Sequence, residues 1–476
     1  MKKYLVLIGA AVLVLALASP SMAQFKSWGH LEVQTMWVEK PDLNTGATTP
    51  SVGGIITTFA RTSTTSGRTD NKEGNNLNYK QIFERFRFFL QYGDPKTVRA
   101  VMGFEADSFN WGESPFSVAE QTADGGGYPP PSGGFGRMGV SNTDQVQLKI
   151  MWAFLEFVVP NTPVSARIGL QNFAIGDLLF QNMDCPGVTL TADFAPHKVQ
   201  GYWWRRGDDR TLTYNVNDTY GAQWSMAQQL FNIYLYGFYT NNLYPQGGTI
   251  SSDHPWWIGL GGGFRPGNWD LSAQFVYNGG TQDLVAGDDL DYAGYALQAM
   301  AKYRVGPGLA VGAELMYTSG GDADDTTEIG RYTLPGFSEN WWGMGAGRSV
   351  FYYFNWDFNY VTGRQLNFTG SAFGRLNVEY NPVPWVNLNF NWLYLVDTIS
   401  GTGDGVKIVN SPEGARQDTD KDSIGNELSV IAKIKIYEPL YYNIGFGYFL
   451  PGDVFNTPTR SADNGWALNS KLIYAF

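Results

Sequence analysis

The sequence predicts an all-β fold, a transmembrane antiparallel β-barrel of 16–18 strands with one loop folded into its interior. Three observations support this fold class. Apolar and polar residues alternate with a period of two, short and long turns follow one another, and aromatic residues, 15% of the chain, recur beside the short turns. A period of two indicates strands with unlike faces. Strands that meet lipid on one face and water on the other produce this pattern.

The end of the chain, GWALNSKLIYAF, shows the alternation in its simplest form. Every second residue back from the end belongs to one set: Phe476, Tyr474, Leu472, Ser470, Leu468 and Trp466. The other set consists of Ala475, Ile473, Lys471, Asn469 and Ala467. One face is therefore aromatic and aliphatic, and the other carries the polar groups. A last strand packed on a soluble core would explain this segment equally well. Other segments of the chain are needed to distinguish a membrane strand from a strand of a soluble protein.

Three internal segments repeat the alternation. Their apolar sets are Val386, Leu388, Phe390, Trp392 and Tyr394; Leu428, Val430, Ala432, Ile434 and Ile436; and Val146, Leu148, Ile150, Trp152 and Phe154. The opposite sets are Asn387, Asn389 and Asn391; Ser429, Lys433 and Lys435; and Gln145, Gln147 and Lys149. Three successive asparagines on one face are costly to bury without water. A β-sandwich would place its apolar face inward, whereas this repetition over strands of about ten residues favours a barrel with lipid outside.

The turns give the strand count. Clear short turns lie at Gly93–Pro95, Pro160–Pro163, Arg265–Asn268, Val305–Gly308, Asn381–Pro384 and Tyr437–Leu440, and they account for twelve strands. Turns at Ala195–His197 and near Gln228 add four, and the first and last strands bring the count to eighteen. If Gly221–Tyr239 is not a hairpin, the count is sixteen. Both numbers are even, as in bacterial single-chain barrels, and an interior this wide holds water.

The first residues have the features of a secretory signal peptide. Lys2 and Lys3 precede an apolar run from Tyr4 to Ala18, and a small-x-small site ends at Ala23. Because the run is short for a membrane span, we expect cleavage of residues 1–23 rather than an uncleaved anchor. Residues 24–476 then form a single barrel domain. The one cysteine of the chain excludes an intramolecular disulfide.

Charge and motifs argue against other classes of protein. The formal charge is −11, and loss of Lys2 and Lys3 makes it −13, which argues against a nucleic-acid partner. The three histidines have no metal-ligand spacing, and the glycines of GLGGGF and GMGAGR open no predicted helix. DTDKDSIGNE has its glycine at the eighth position, where an EF-hand requires the sixth. We therefore expect no enzyme activity and no cofactor, with at most weak divalent-cation binding at acidic outer loops such as GDADDTTE.

Strand parity assigns the charged residues of the interior. A charged side chain on the lipid face near the bilayer centre costs roughly 2–4 kcal/mol, so arginine and lysine should follow the water-facing set. The residues assigned to the pore lining are Arg85, Arg87, Arg99, Glu105, Lys149, Arg167, Arg375, Lys433 and Lys435. In this assignment Arg99 pairs with Glu105 and Asp107 on the interior face of the next strand.

The signal peptide, the terminal LIYAF and the segment RIGLQNFAIGD together resemble the general porins of Gram-negative outer membranes, in particular the homotrimeric porins of sulfate-reducing bacteria. The resemblance implies a homotrimer in the outer membrane, in contact with lipid and lipopolysaccharide and assembled by the barrel-assembly machinery through Phe476. It also implies that the loop after the fifth strand, Phe173–Pro186, narrows the pore and places Asp177 and Asp184 opposite the basic residues. Eighteen strands would suit the sugar-selective trimeric porins better than general porins with sixteen.

These features predict a water-filled channel for passive diffusion of small hydrophilic solutes and ions. The first alternative is a substrate-selective, sugar-type porin, in which Trp203 and Trp204 would contribute to an aromatic track. The second alternative is an exported soluble β-protein or hydrolase.

Overall fold

The computed structural model describes residues 25–39, 78–111, 137–138, 148–176, 179–208, 216–243, 250–322, 325, 327–334, 347–351, 370–400, 422–453 and 461–476. The predicted signal peptide, Asp177 and the segment 145–147 lie outside the described residues. In the part of the chain that is described, no helix is both long and apolar enough to cross a membrane.

In the ranges that the structure describes, eighteen strands form the wall of the molecule. They are β1 (Phe25–Glu39), β2 (Asn78–Asp94), β3 (Val98–Trp111), β4 (Leu148–Val158), β5 (Val164–Ile175), β6 (Gln181–Phe194), β7 (His197–Asp208), β8 (Val216–Ala227), β9 (Phe231–Leu243), β10 (Ile250–Phe264), β11 (Trp269–Leu284), β12 (Leu290–Gly306), β13 (Leu309–Thr318), β14 (Ser371–Val383), β15 (Val386–Asp397), β16 (Ser423–Tyr437), β17 (Leu440–Pro451) and β18 (Gly465–Ala475). Two further two-residue strands, Arg137–Met138 and Glu328–Ile329, run parallel to the ends of β3 and β12.

The wall closes on itself. Each of these strands is antiparallel to the next, and β18 pairs with β1 from His30↔Ala475 to Glu39↔Trp466. β8 and β9 form a hairpin around Gln228–Leu230, so Gly221–Tyr239 is a hairpin and the count is eighteen. The predicted all-β antiparallel barrel is confirmed, with the larger of the two predicted strand numbers.

All the short turns lie at one end of the barrel, at the positions that proline, glycine and asparagine predict. Between β4 and β5, for example, Asn161 adopts a positive φ of 61°, and the Thr162 amide donates to the Val159 carbonyl at 3.2 Å. Asparagine tolerates this conformation better than most residues because its side chain interacts locally. Beside another short turn, Trp269 packs against Tyr303 with ring centroids 4.8 Å apart. The longer connections lie at the opposite end.

The apolar faces of the strands point outward. On β15, Phe390 and Trp392 are 46% and 44% exposed, whereas Asn389 and Asn391 are 8% and 5% exposed. The asparagines hydrogen-bond inside the barrel, where Asn391 accepts from Arg375 at 2.9 Å. The polar face of this strand therefore lines the interior, as the sequence predicted.

Strand β4 departs from the predicted parity. Trp152 and Phe154 were predicted on the outer face with Leu148 and Ile150, but this prediction is wrong for the second half of the strand. Gly103 pairs with Trp152 while the next residue, Phe104, pairs with Ile150, so Met151 is an extra residue in β4. A β-bulge of this kind reverses the facing of every residue beyond it.

Candidate functional site

The tip of the β5–β6 hairpin leaves the barrel wall. β5 pairs with β4 only as far as Ala153↔Leu170, and β6 pairs with β7 only as far as Gly187↔Trp204. Beyond these points the two strands pair with each other alone, from Gln171↔Cys185 to Ile175↔Gln181. We call residues 171–186 the inner hairpin. It includes the segment 173–186 that is predicted to fold inward, and its described residues on either side of 177–178 form a hairpin with its own hydrogen bonds rather than an irregular loop.

One face of the inner hairpin packs on aromatic side chains of the wall. Phe173 lies against Trp204 of β7 with ring centroids 5.0 Å apart, and Phe180 lies against Phe238 of β9 at 4.8 Å. Phe173, Phe180 and Trp204 are fully buried. Burying a side chain of this size contributes about 1.5–3 kcal/mol, so the aromatic contacts hold the inner hairpin against this side of the barrel.

The predicted aromatic track does not form. Trp204 is covered by Phe173, and Trp203, its neighbour in β7, belongs to the opposite face. The Trp203 indole Nε1 donates to Asp218 Oδ1 at 3.2 Å, beside the Arg205–Asp218 ion pair. The two tryptophans therefore offer no continuous surface to a solute in the pore.

The other face of the inner hairpin carries Asp184 toward the basic strands. The indole Nε1 of Trp152 donates to Asp184 Oδ1 at 2.9 Å, and the carboxylate interacts electrostatically with Arg87 and Glu105. The Asp184 carboxylate therefore faces the basic residues of the early strands. Trp152 is a contact that parity missed, because the bulge at Met151 cannot be read from β4 alone.

Three basic side chains surround Glu105. Arg87 Nε lies 2.5 Å from Glu105 Oε2, Lys149 Nζ lies 2.7 Å from Oε1, and Arg85 Nε lies 3.9 Å from Oε2. The register places Arg87, Glu105 and Lys149 side by side on β2, β3 and β4. The structure thus brings together four of the residues assigned to the pore lining.

Arg99 and Arg167 share a different carboxylate, Glu156. Arg99 Nη2 lies 3.0 Å from Glu156 Oε1, and Arg167 Nη2 lies 2.6 Å from Oε2. Arg99 is therefore not paired with Glu105, although both face the interior. Glu156 belongs to the same alternating set as Trp152 and Phe154. It was missed because strict alternation, without the bulge, places this set on the lipid face.

Arg375 belongs to a third group on the opposite part of the wall. Its Nη2 lies 2.7 Å from Glu314 Oε2 of β13, and Arg348 Nε lies 3.3 Å from the same oxygen. Gln298 donates to Glu314 Oε1 at 2.8 Å. Neither Glu314 nor Arg348 was among the predicted residues. Glu314 was missed because only the strand register decides which carboxylate faces Arg375. Arg348 was missed because it lies in a connection between strands.

The two predicted lysines of β16 have different surroundings. Lys433 interacts electrostatically with Glu379, which also pairs with Lys302 and accepts from Asn387 at 3.0 Å. Lys435 pairs with Glu438 at the short turn between β16 and β17, apart from the other groups. The structure therefore joins Lys433, but not Lys435, to a charged group of the interior.

In these groups the carboxylates lie beneath the cations. The side chains of Glu105, Glu156 and Glu314 are 6%, 15% and 0% exposed, whereas those of Lys149 and Arg167 are 58% and 35% exposed. Each carboxylate is shared by at least two basic side chains. In these three groups the cations are therefore the more exposed members, although the whole chain has a formal charge of −11.

In the acidic loop GDADDTTE, one carboxylate is hydrogen-bonded within the loop itself. Asp325 Oδ1 accepts hydrogen bonds from the Thr327 amide and hydroxyl, each at 2.8 Å, and these bonds lower the pKa of Asp325. Within the described ranges, no group of three or more histidine, cysteine, aspartate or glutamate side chains is arranged to hold a metal ion.

No family model matches the chain, and no curated protein matches it. The fold is similar to that of OccAB1 from Acinetobacter baumannii, with 10% identity, 94% of this chain and 96% of that chain covered, and a TM-score of 0.51. It is also similar to the outer membrane protein OpdK from Pseudomonas aeruginosa, with 9% identity, coverage of 95% and 99%, and a TM-score of 0.50. A BenF-like porin from Pseudomonas fluorescens Pf-5 has 11% identity, coverage of 95% and 98%, and a TM-score of 0.49.

At these identities the likeness concerns the fold. A closed antiparallel barrel with an apolar outer face spans a membrane, because its backbone groups are all paired and it has no exposed edge. A soluble β-protein does not fit this apolar outer face. The chain has the fold of the outer-membrane porins of Gram-negative bacteria.

Proposed function

We propose that the protein is a substrate-selective channel of the outer membrane that prefers anions and lets small hydrophilic solutes, carboxylates among them, cross by passive diffusion. The observation that carries this proposal is the layering of charge in the interior. Glu105 and Glu156 lie beneath five basic side chains, of which Lys149 and Arg167 are the most exposed. Guanidinium and ammonium groups bind carboxylates through charge-assisted hydrogen bonds. No covalent step is involved, and transport follows the concentration gradient.

The inner hairpin supports selectivity over general diffusion. It occupies part of the interior, it is fixed by aromatic contacts on one face and by Trp152 on the other, and its Asp184 faces the basic strands. A solute must therefore pass close to charged side chains rather than through a wide column of water. This arrangement favours the selective alternative over the unselective channel.

Ion preference tests the proposal most directly. In planar bilayers with a salt gradient, the reversal potential should show that anions are more permeant than cations. The variant K149Q should reduce this preference, because Lys149 is the most exposed cation of the Glu105 group. K435Q is the matched control, since Lys435 lies at a short turn with Glu438 and should leave the preference unchanged. A cation-selective wild-type channel would refute the proposal.

Selectivity among solutes needs a second measurement. Liposomes containing the protein should take up a small monocarboxylate faster than a neutral sugar of similar size, and the carboxylate flux should saturate. If uptake falls only with solute size and never saturates, the protein is a general diffusion porin instead.

We also propose that residues 1–23 are removed on export, that the barrel forms a homotrimer surrounded by lipid and lipopolysaccharide, and that Phe476 is read by the barrel-assembly machinery. The basic, apolar and small-residue order of the first residues supports cleavage. The trimer rests on the resemblance to general porins. N-terminal sequencing of the membrane-inserted protein should start at Gln24, and cross-linking in outer membranes should stop at three copies.

A further inference from the structure

A second stretch of chain is packed inside the barrel. Residues Gly347–Phe351 belong to the connection between β13 and β14, and we call them the docked segment. Ser349, Val350 and Phe351 are fully buried. Their partners lie on β15, β16 and β17, so this stretch is fixed to the part of the wall that carries Arg375, and not to the part covered by the inner hairpin.

Glu427 of β16 is the main polar anchor of the docked segment. The Ser349 hydroxyl donates to Glu427 Oε2 at 2.7 Å, and the amides of Val350 and Phe351 donate to Oε1 at 2.6 and 3.2 Å. The Glu427 side chain is fully buried. A buried carboxylate is costly unless several donors satisfy it, so Glu427 and the docked segment stabilise each other. The rejected calcium motif DTDKDSIGNE ends in this glutamate.

Apolar contacts and one amide complete the docking. The Phe351 ring stacks on Phe449 of β17 with centroids 5.2 Å apart and an angle of 8°. A Cβ added at Gly447 would lie 2.9 Å from the Val350 Cβ, so glycine at this position leaves room for Val350. Asn391 Nδ2 donates to the Gly347 carbonyl at 3.0 Å. The backbone is therefore held on both sides of Arg348.

This arrangement directs Arg348 to Glu314. Without Arg348, Glu314 and Arg375 would form a neutral pair with contacts of 2.7 and 2.9 Å. Arg348 Nε lies 3.3 Å from the same Glu314 oxygen, so the group gains one positive charge. Arg348 also interacts electrostatically with Lys433, which joins this group to that of Glu379.

From these contacts we infer that the docked segment is a selectivity element. Glu427 is its positioning residue, and Arg348 is a specificity-determining residue that adds a cation to the neutral pair of Glu314 and Arg375. The ligand class is that of the proposed function, small anions including carboxylates, and the inference rests on that function. Its distinctive consequence is that a buried carboxylate on the wall increases anion preference by holding an arginine in place.

The variant E427A separates this role from simple electrostatics. Removing a negative charge from the interior should by itself raise anion preference, and E32A, which removes an interior carboxylate paired with Lys471, is the control for that effect. If Glu427 holds the docked segment, E427A should instead raise the single-channel conductance and lower the anion-to-cation permeability ratio. The ratio should fall by at least about twofold, which is the effect of losing one unit charge several ångströms from the ion path. A rise in anion preference in both variants would overturn the inference.

The variant R348Q tests the arginine without removing the anchor. It should lower the permeability ratio by a similar factor while conductance changes little, since the contacts of Ser349, Val350 and Phe351 with Glu427 remain. An unchanged permeability ratio in R348Q would overturn the role of Arg348. This ratio can be measured even if E427A fails to fold.

A disulfide reports docking independently of ion flow. In a Cys185→Ser background, V350C with G447C should cross-link under mild oxidation, because their Cβ positions are adjacent and a small relaxation gives disulfide geometry. V350C alone should not cross-link, and E427A should lower the yield of the pair. If the pair forms but wild type lacks anion preference, the proposed function fails and the docking stands. If wild type prefers anions but the pair never forms, the inference fails alone.

Discussion

The indole Nε1 of Trp152 donates a hydrogen bond to Asp184 Oδ1 at 2.9 Å and so connects strand β4 of the wall to the inner hairpin. The contact exists because the bulge at Met151 turns Trp152 inward. On the opposite face, Phe173 and Phe180 pack on the aromatic wall. The inner hairpin is thus held from two sides, by one polar and one apolar surface, and both depend on strands that are distant in sequence.

Loss of the Trp152 donor should loosen the inner hairpin. In W152F a smaller aromatic ring remains, but the charged Asp184 carboxylate loses the indole hydrogen bond, which is worth about 1.5–3 kcal/mol. We expect a lower thermal transition in detergent and larger fluctuations of the open-channel current. W392F is the matched control, since the Trp392 indole donates at 3.0 Å to Asn426 on the outer face. Equal current noise in the two variants would contradict the role of Trp152.

Glu105 should be important for both stability and ion preference. In E105Q, Arg85, Arg87 and Lys149 lose a shared carboxylate, and we expect a loss of stability of about 1–3 kcal/mol, because a buried charged acceptor is replaced by a neutral amide. The anion-to-cation ratio should rise at the same time, which reversal potentials will show. The exposed turn pair of Lys435 with Glu438 provides the control, and E438Q should change stability by less than about 1 kcal/mol. A stable E105Q with unchanged selectivity would contradict the charge layering.

The glycines of GLGGGF have a packing role that can be tested. The Tyr236 ring lies directly over Gly259, so a Cβ at this position would overlap it, and Tyr236 in turn supports Phe180 of the inner hairpin. We expect G259A to destabilise the barrel by about 1–3 kcal/mol through overpacking. G201A is the matched control, because nothing lies within 4 Å of its Cβ position. Thermal unfolding monitored by gel mobility compares them, and similar melting temperatures would refute this packing.

Phe476 should assist closure of the barrel. Its ring lies 6.1 Å from that of Phe86 and 6.0 Å from that of Tyr474, and its backbone pairs with Gly29 at 2.9 and 3.0 Å. Aromatic pairs of this kind contribute about 0.5–1.5 kcal/mol, so F476A should lower the yield of folded barrel in a refolding assay with purified protein. F446A is the control, because Phe446 lies on the outer face with a similar exposed fraction but away from the seam between β18 and β1. F446A should refold more completely than F476A. Equal yields would show that the ring does not contribute to closure.

The sequence by itself determined the features that depend on near neighbours along the chain. Alternation with a period of two placed Phe390 and Trp392 outside and Asn389 and Asn391 inside, because successive side chains of a strand point to opposite faces. Proline, glycine and asparagine located the short turns, because their backbone preferences are local. Together these features were sufficient for the barrel, its even strand number and the interior position of Arg87, Lys149 and Arg375.

Only the tertiary structure decided which interior groups meet. Register paired Arg99 with Glu156 rather than Glu105, and one extra residue, Met151, turned Trp152 and Glu156 inward. The contact of Phe180 with Phe238 and the anchoring of Val350 by Glu427 join segments that no local pattern relates. The physical reason is that register, bulges and inward-packed segments are selected by the combined free energy of contacts between distant strands, whereas alternation and turns follow from the backbone of a few adjacent residues.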